Sequence, residues 1–491
     1  MRCWWKTTAA ALALACAAGC RTTEDVLRDY EAALIAGNYG APVEETAELA
    51  AKGGGSQLLW RLMAGGALYM ADDKARALAM FDAAEDAMIA NDKTSVFARA
   101  GDGALAMMTN DKAFDYDGGG QDRVFTCLYK AIDFLTSGNV NAARTEFNRA
   151  AQHQENWIWE RRKDVEAAAA RMRRDASSYA SQNNAQMQGS ESQVAGVLGN
   201  ASFAAQVQRQ CGFNPSTSGN LDALAPRDYM NPYVEHVTGV FRWLRGDGGE
   251  RNYLKDVAAL CPANTVAARD FADVQSAQRP VNQVWIWAED GLCPCREEWR
   301  LDLPLYFMPF VGDYAPYVGM ALPYLRPRSD GAASWRVAAS NGAVMQMEEL
   351  ADVDKLVKTE YDVYMRGAIA REITRTMVKA GVQVALGVAA DAAERRAMKK
   401  GNSADYWALK MSQMAVAAWA MATTGADLRS WTALPKTVKV ARVDRPADGR
   451  IDVWADGQKI ELTLEPGNTL VFIRKPSPQA TPAVKQVTFR R

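Results

Sequence analysis

The sequence predicts a mainly helical α+β fold, and three observations carry that prediction. Apolar residues recur at helical spacing through the first 280 residues. Near Val281 the pattern switches to strict alternation. A block of long helices, from Asp352 to Thr424, then separates these strands from five more at the C-terminus. The expected architecture is an N-terminal tetratricopeptide-like array of helical hairpins, then a mixed region of short antiparallel strands and long helices, then a small C-terminal β module. The expected boundaries are a cleaved segment at 1–19, hairpins over 20–180, a polar linker or insertion at 181–228 and a further hairpin at 229–280. Short strands follow at 281–350, long helices at 351–430 and an antiparallel β module at 431–491.

A chain of 491 residues is too long for one core and calls for about three domains. With 48% hydrophobic and 23% charged residues it belongs to the globular class. A formal net charge of -1 argues against a nucleic-acid binder, which needs many uncompensated Lys and Arg to displace counterions. The most apolar later stretch, Met377 to Ala390, covers about 14 residues and contains Lys379 and Gln383, whereas a spanning helix needs about 20.

The first 20 residues read as an export signal. Arg2 and Lys6 make a short basic start, and an apolar run of about 12 residues, Thr7 to Ala18, fits a signal h-region. Ala17, Ala18 and Gly19 lead into Cys20. This stretch resembles the lipobox of bacterial lipoproteins, with Ala17 where Leu is usual. The resemblance implies cleavage before Cys20 and lipid attachment to it. Arg21 follows, where lipoproteins kept in the inner membrane often carry Asp, so the expected location is the outer membrane, facing the periplasm.

The hairpins come next. Val26, Leu27, Tyr30, Leu34 and Ile35 form one helix face, "GNYGAP" breaks it, and Val43 to Ala51 returns. Leu58 to Met70, with small Gly65 and Gly66, precedes a helix carrying Ala77, Phe81 and Ala84. The same +4, +3 spacing recurs at Ala143, Phe147 and Ala150, after a helix from Val124 to Leu135 that contains small Ala131. These positions share one helical face: small residues let helices approach, and Phe fills the gap to the next hairpin. The spacing resembles the second helix of a tetratricopeptide repeat. A weaker copy carries Val234, Val237, Phe241, Leu254 and Val257. The helix from Ala142 should run to about Ala180, with Trp157 and Trp159 on different faces. Its cluster of Arg161, Arg162, Lys163, Arg171, Arg173 and Arg174 is expected on a solvated face, and the polar run Ser181 to Ser192 in a loop.

From Val281 the alternation places Trp285 and Trp287 on one side of a strand and Val284, Ile286 and Ala288 on the other. Trp299, Leu301, Leu303 and Leu305 similarly mark one buried face. "VGMALP", "SWRVAAS" and "GAVMQMEEL" read as further short strands. Asp352 to about Lys399 is one long helix or two broken ones, and Ala404 to Thr424 is another. The last five strands include a tight turn at Asp456-Gly457.

The segments "RVFTCLYKAIDFLTSGNVNAARTEFNRAAQHQ", "NPYVEHVTGVFRWLRGD", "VWIWAEDGLCPCREEWRLDLPL", "YVGMALPYLRPR" and "GADLRSWTALP" occur in this order between about residues 120 and 440. Together they resemble an uncharacterised family of bacterial lipoproteins with tetratricopeptide-like helices. The stretch "YDGGGQDRVF" departs from the family's tyrosine- and glutamate-rich opening. The resemblance implies an envelope lipoprotein with no established catalytic residues.

Candidate chemistry is sparse. The two histidines, His153 and His236, are expected as helix-surface or packing residues. No metal-ligand spacing accompanies the cysteines, so neither metal nor cofactor is expected. Cys127 should be a buried small residue. Cys211, Cys261, Cys293 and Cys295 are candidate disulfide partners in an oxidising compartment. The pairs Glu289-Asp290 and Glu297-Glu298 are expected at the surface or in turns. Arg371, Arg375 and Lys379 are expected on a solvated helix face, with a groove for an acidic partner as the alternative. The expected function is a non-catalytic, lipid-anchored scaffold that binds envelope proteins through its helical surface. The alternatives are an envelope hydrolase acting on glycan or peptide near "EDGLCPCREE", or a subunit of a secretion or cell-wall assembly complex.

Overall fold

In the computed structural model, residues 22–97, 110–182, 196–197, 199–215, 217–302, 319–328, 330–400 and 404–490 are described. They form an α+β protein with 55% helix and 18% strand, so helix dominates as the periodicity predicts. The first helix, α1 (Thr23–Ile35), starts from a capping box in which Asp25 N donates to Thr22 Oγ1 at 3.1 Å and Thr22 N to Asp25 Oδ2 at 3.2 Å. Helix α2 (Val43–Lys52) packs on α3 (Gln57–Met70), which in turn pairs with α4 (Lys74–Phe97). Next come α5 (Gly120–Thr136) with α6 (Val140–Gln182), then α7 (Ala201–Cys211) and α8 (Pro226–Tyr229). The segment ends in three helices, α9 (Pro232–Arg245), α10 (Glu250–Leu260) and α11 (Thr265–Gln275).

The small-residue spacing works as the sequence suggests. Gly65, Ala77, Phe81, Ala84, Ala131, Ala143, Phe147 and Ala150 are all buried. A Cβ at Gly65 would lie 2.6 Å from Phe81 Cε1, so only glycine lets the Phe81 ring sit against α3. Phe147 reaches the next hairpin and meets Phe241 at 4.9 Å between ring centroids. Trp157 is buried and stacks on Tyr229, while Trp159 is 66% exposed, as their angular separation requires. Of the basic cluster on α6, only Arg162 has a described side chain, and it pairs with Asp222 at 2.8 Å. Most of the polar run at 181–192 lies outside the described residues.

Two parts of the expected domain plan are corrected. Residues 181–228 are not all linker: α7 buries Phe203, Val207 and Cys211 in an apolar cluster with Met320 and Leu322. The C-terminal strands do not make a separate antiparallel module. The strands are β1 (Gln283–Asp290), β2 (Cys295–Asp302), β3 (Gly319–Arg326), β4 (Trp335–Ala339), β5 (Val344–Gln346) and β6 (Glu348–Asp352), then β7 (Thr437–Asp444), β8 (Arg450–Ala455), β9 (Gln458–Thr463), β10 (Asn468–Lys475) and β11 (Ala483–Phe489). They form a five-stranded sheet ordered β11-β10-β1-β7-β6, a four-stranded sheet ordered β5-β4-β8-β9, and the pair β2-β3. The β1–β10 pairing is parallel. Strands separated by about 150 residues therefore interleave, and the expected boundaries at 350 and 430 cut through both larger sheets.

The reason lies in β1. All eight of its residues are buried, so it needs a partner at each edge and a layer on each face. Trp285 and Trp287, with Leu470, Phe472, Val438 and Val440, face the helices and join their core. Val284, Ile286, Ala288, Val471, Ile473 and Ala441 face the four-stranded sheet, against Trp335, Val337, Ile451 and Val453. The order is helices, five-stranded sheet, four-stranded sheet. Asp456 (φ 49°) and Gly457 join β8 to β9 in the expected tight turn.

The long helix is continuous: α12 (Val353–Lys400) runs through Gly367, Gly381 and Gly387 without a break, and α13 (Ala404–Ala422) packs back along it. The irregular stretch after α13 enters the core, with Trp431 against Phe81 and Tyr129, each at 5.9 Å.

Candidate functional site

Three buried polar groupings and one exposed face are the candidates. The first surrounds Glu289, near the end of β1. Its Oε2 accepts from the Tyr129 hydroxyl and its Oε1 from the Tyr233 hydroxyl, each at 2.8 Å. Arg474 Nε lies 3.7 Å from Oε2, and Tyr69 stacks on Tyr129 at 4.2 Å. Burial raises the Glu289 carboxyl above its ordinary range, opposed by Arg474 and by both hydroxyls. The hydroxyls of Tyr129 and Tyr233 are raised well above theirs, chiefly by burial, and stay neutral donors.

This corrects the surface reading of Glu289-Asp290. Both are buried because the central strand is covered on both faces. Asp290 Oδ1 accepts from Ala332 N at 2.9 Å, and the close approach of the loop depends on Gly331, whose Cβ would fall 2.1 Å from that carboxyl. Glu297 pairs with Arg326, and Glu298 with Arg300 at 2.8 Å, on the two-stranded sheet. The four carboxylates thus divide between the core and an arginine-paired surface rather than facing one another across a cleft. An open cleft of about 540 Å³ lies at the other end of β1, lined by Val281, Asn282, Glu465, Asn468, Phe489 and Arg490. Six strand residues, roughly 20 Å, separate it from Glu289.

The second grouping centres on His236, which is a packing residue but an elaborately bonded one. Its Nδ1 accepts from Trp287 Nε1 at 3.0 Å, which leaves the proton on Nε2 to donate to Asp270 Oδ2 at 2.7 Å. Asp270 also accepts from Trp285 Nε1 at 3.0 Å and Arg442 Nη1 at 2.6 Å. Arg442 continues to Asp273 at 2.6 Å, and its guanidinium lies 4.9 Å from the Trp285 ring centroid. A His–Asp pair makes two of the three members of a hydrolytic triad. Here the indole N–H of Trp287 occupies the place a nucleophile's hydroxyl would need.

The third is Glu85, Cys127 and His153, whose donor atoms lie within 4.8 Å of one another on α4, α5 and α6. Lys130 Nζ holds Glu85 at 2.8 Å, Arg149 pairs with the same carboxylate, and burial keeps the Cys127 thiol protonated. The carboxylate is thus already neutralised by cations. The candidate disulfides are not formed: Cys211, Cys261, Cys293 and Cys295 are all free thiols. Each sits in a different setting. Cys211 lies in the α7 cluster, Cys261 donates to Leu350 O at 3.1 Å, Cys293 is buried beside Arg328, and Cys295 opens β2.

The basic stripe on α12 also turns inward, which corrects the solvated reading. Arg371 and Arg375 both pair with Asp111, at 2.9 and 2.7 Å, and hold its carboxyl well below its usual range despite burial. Lys379 donates to Thr423 O at 3.2 Å and is lowered to about 8, mainly by burial. No acidic partner is needed to offset these charges.

The exposed candidate is α13. On its inward face Gln413, Ala417 and Ala420 are buried, Leu409 and Val416 are half-buried, and Gln413 Nε2 donates to Gln383 O on α12 at 3.1 Å. Its outward face is apolar, with Trp407 61%, Met411 64%, Met414 63% and Met421 51% exposed. The spacing of 4, 3 and 7 residues places all four on one stripe. The sequence places a helix over Ala404 to Thr424 but does not show which face its partner would take. No protein-family model, no curated protein and no solved structure matches this chain.

Proposed function

We propose that the protein is a non-catalytic, lipid-anchored component of the bacterial cell envelope that holds protein partners at the membrane, with hairpins α1 to α6 and α9 to α11 forming a tetratricopeptide-like array. The observation that carries this reading is the join between signal and fold. Cys20 stands two residues before Thr22, whose side chain caps α1, so a lipid on Cys20 would hold the folded body directly against the bilayer. Several acyl chains there make a stable anchor where one does not.

The hydrogen-bonded carboxylates favour the non-catalytic reading over a hydrolase. Glu289 has a raised carboxyl, as a general acid requires, but both its oxygens are taken by tyrosine hydroxyls inside the core. One face of the hairpins is filled by the chain's own sheet, through Trp285 and Trp287, and by Trp431 from the stretch after α13. Partners would therefore meet the outer faces of the helices rather than an empty groove. Outer-membrane placement, from Arg21, belongs to the same proposal.

Mass spectrometry of the mature N-terminus tests the anchor: an acylated Cys20 is expected, and an unmodified soluble chain overturns it. In-cell crosslinking followed by mass spectrometry tests the scaffold, with the same envelope proteins expected to recur on lysines of the hairpins.

A further inference from the structure

We infer that the exposed stripe of α13, together with the basic end of α12, docks on an anionic phospholipid surface beside the lipid anchor. The inference rests on the anchor reading for its orientation and on three features of the hairpin for its chemistry.

The first is that α13 is apolar on both faces. A helix packed on one neighbour ordinarily buries its apolar residues and turns a polar face to water. Here Gln413, Ala417 and Ala420 are buried and Leu409 and Val416 half-buried on one side, while Trp407, Met411, Met414 and Met421 face outward on the other. The sequence from Met411 to Ala426 holds no charged residue. The stripe from Trp407 to Met421 runs roughly 21 Å along the helix. Among the described residues no helix is long and apolar enough to cross a membrane, so the stripe suits a helix lying in the interface plane.

Charge distribution is the second feature. Residues 391–400, "DAAERRAMKK", carry four basic and two acidic side chains. Asp391 is engaged by Lys410 at 3.8 Å, and Arg395 and Arg396 are exposed beside Met398, which is itself exposed. With the helix in the interface plane, the apolar stripe would meet the acyl boundary while Arg395 and Arg396, next to its Trp407 end, would meet the phosphates.

The third is position. Glu24, in the first turn of α1, pairs with Lys112 at 2.9 Å, and the neighbouring Asp111 takes Arg371 and Arg375 of α12. A Cβ on Gly425, three residues beyond α13, would fall 4.0 Å from Lys112 Nζ. The start of α1 is thus tied to the root of the hairpin, and Cys20 lies just upstream. A bilayer that receives the Cys20 lipid is within reach of the stripe without any long tether.

The test uses the chain from Arg21 onward, which keeps every described element and lacks the lipid. It should float with vesicles of phosphatidylethanolamine and phosphatidylglycerol and not with phosphatidylcholine alone. Met411→Ser combined with Met414→Ser should weaken flotation about tenfold with an unchanged circular-dichroism melt, because both side chains are exposed. Arg395→Glu combined with Arg396→Glu should weaken it and flatten its salt dependence. Absence of flotation, or equal flotation of wild type and the methionine variant, overturns the inference. A wild-type dimer in sedimentation that the methionine substitutions dissolve overturns it too, and assigns the stripe to a second copy of the chain. Acylation of Cys20 in cells is read separately, so failure of docking and failure of the anchor are distinguishable.

Discussion

The junction between the helices and the five-stranded sheet and the α12–α13 hairpin are opposite solutions to the same packing problem. At the junction, polar groups are inside and answered: Glu289 by two tyrosines, Asp270 by His236, Trp285 and Arg442. In the hairpin, large apolar groups are outside and uncovered by any described residue, while Gln413 and Gln383 meet in the seam. Burial without pairing is costly, so the junction's polar residues serve stability and order. Exposure of large apolar residues gains the free monomer nothing, which is why the hairpin's stripe stands out among the described residues. The junction's polar residues are thus accounted for by one another, whereas the α13 stripe is covered by no described residue.

The sharpest way to break this contrast is at Asp270. Asp270→Ala leaves the buried Arg442 guanidinium short of a partner and two ring N–H groups unpaired, and should cost about 3–5 kcal/mol in chemical denaturation. A loss below 1 kcal/mol would mean the network is not what holds this layer together.

Next in size is a pH effect at Glu235, buried on α9 and hydrogen-bonded by Gln154 at 2.6 Å. Burial, with Glu155 and Asp256 nearby, raises its carboxyl to about 8. The sign follows from linkage: a native carboxyl that holds its proton more tightly than the unfolded chain contributes stability below the unfolded value near 4.5, and that contribution is lost as pH rises through about 8. Glu235→Gln should flatten the stability profile across that window, by on the order of a few kcal/mol at its alkaline end. Denaturation midpoints at several pH values read it directly, and an unchanged slope would exclude Glu235 as its source.

A smaller effect is expected at Gly65. Gly65→Ala drives a methyl into the Phe81 ring and should destabilise by about 1–3 kcal/mol. Combined with Phe81→Leu the two costs should be non-additive, since they share one contact. Smallest of all, Met414→Ser on the exposed stripe should change stability by less than about 0.5 kcal/mol. A large loss there would show that the stripe supports the fold and would erase the contrast.

Much of the fold was legible locally. The Ala-Phe-Ala spacing located the tight helix contacts because period and residue size are local properties, and the alternation in β1 assigned the right residues to opposite faces. The candidate site was less legible. Glu289-Asp290 follows the apolar run Val284 to Ala288 and precedes the turn at Gly291, while the strands that flank it, β7 and β10, come from more than 140 positions downstream. Arg371 and Arg375 read as a like-charged stripe because their counterion, Asp111, comes from about 260 positions upstream. The cysteines suggested bridges from compartment alone, while their separation in space depends on which layer each joins.

By itself the sequence determined the helical hairpins, the positions of the strands and, in Cys20, a candidate address, since each follows from periodicity or from a short motif. Tertiary structure alone decided that strands about 150 residues apart share one sheet, that the hairpins close on that sheet, and that α13 leaves Trp407, Met411, Met414 and Met421 outside. These depend on which surfaces meet, and a local pattern records that a residue prefers burial without recording what will bury it.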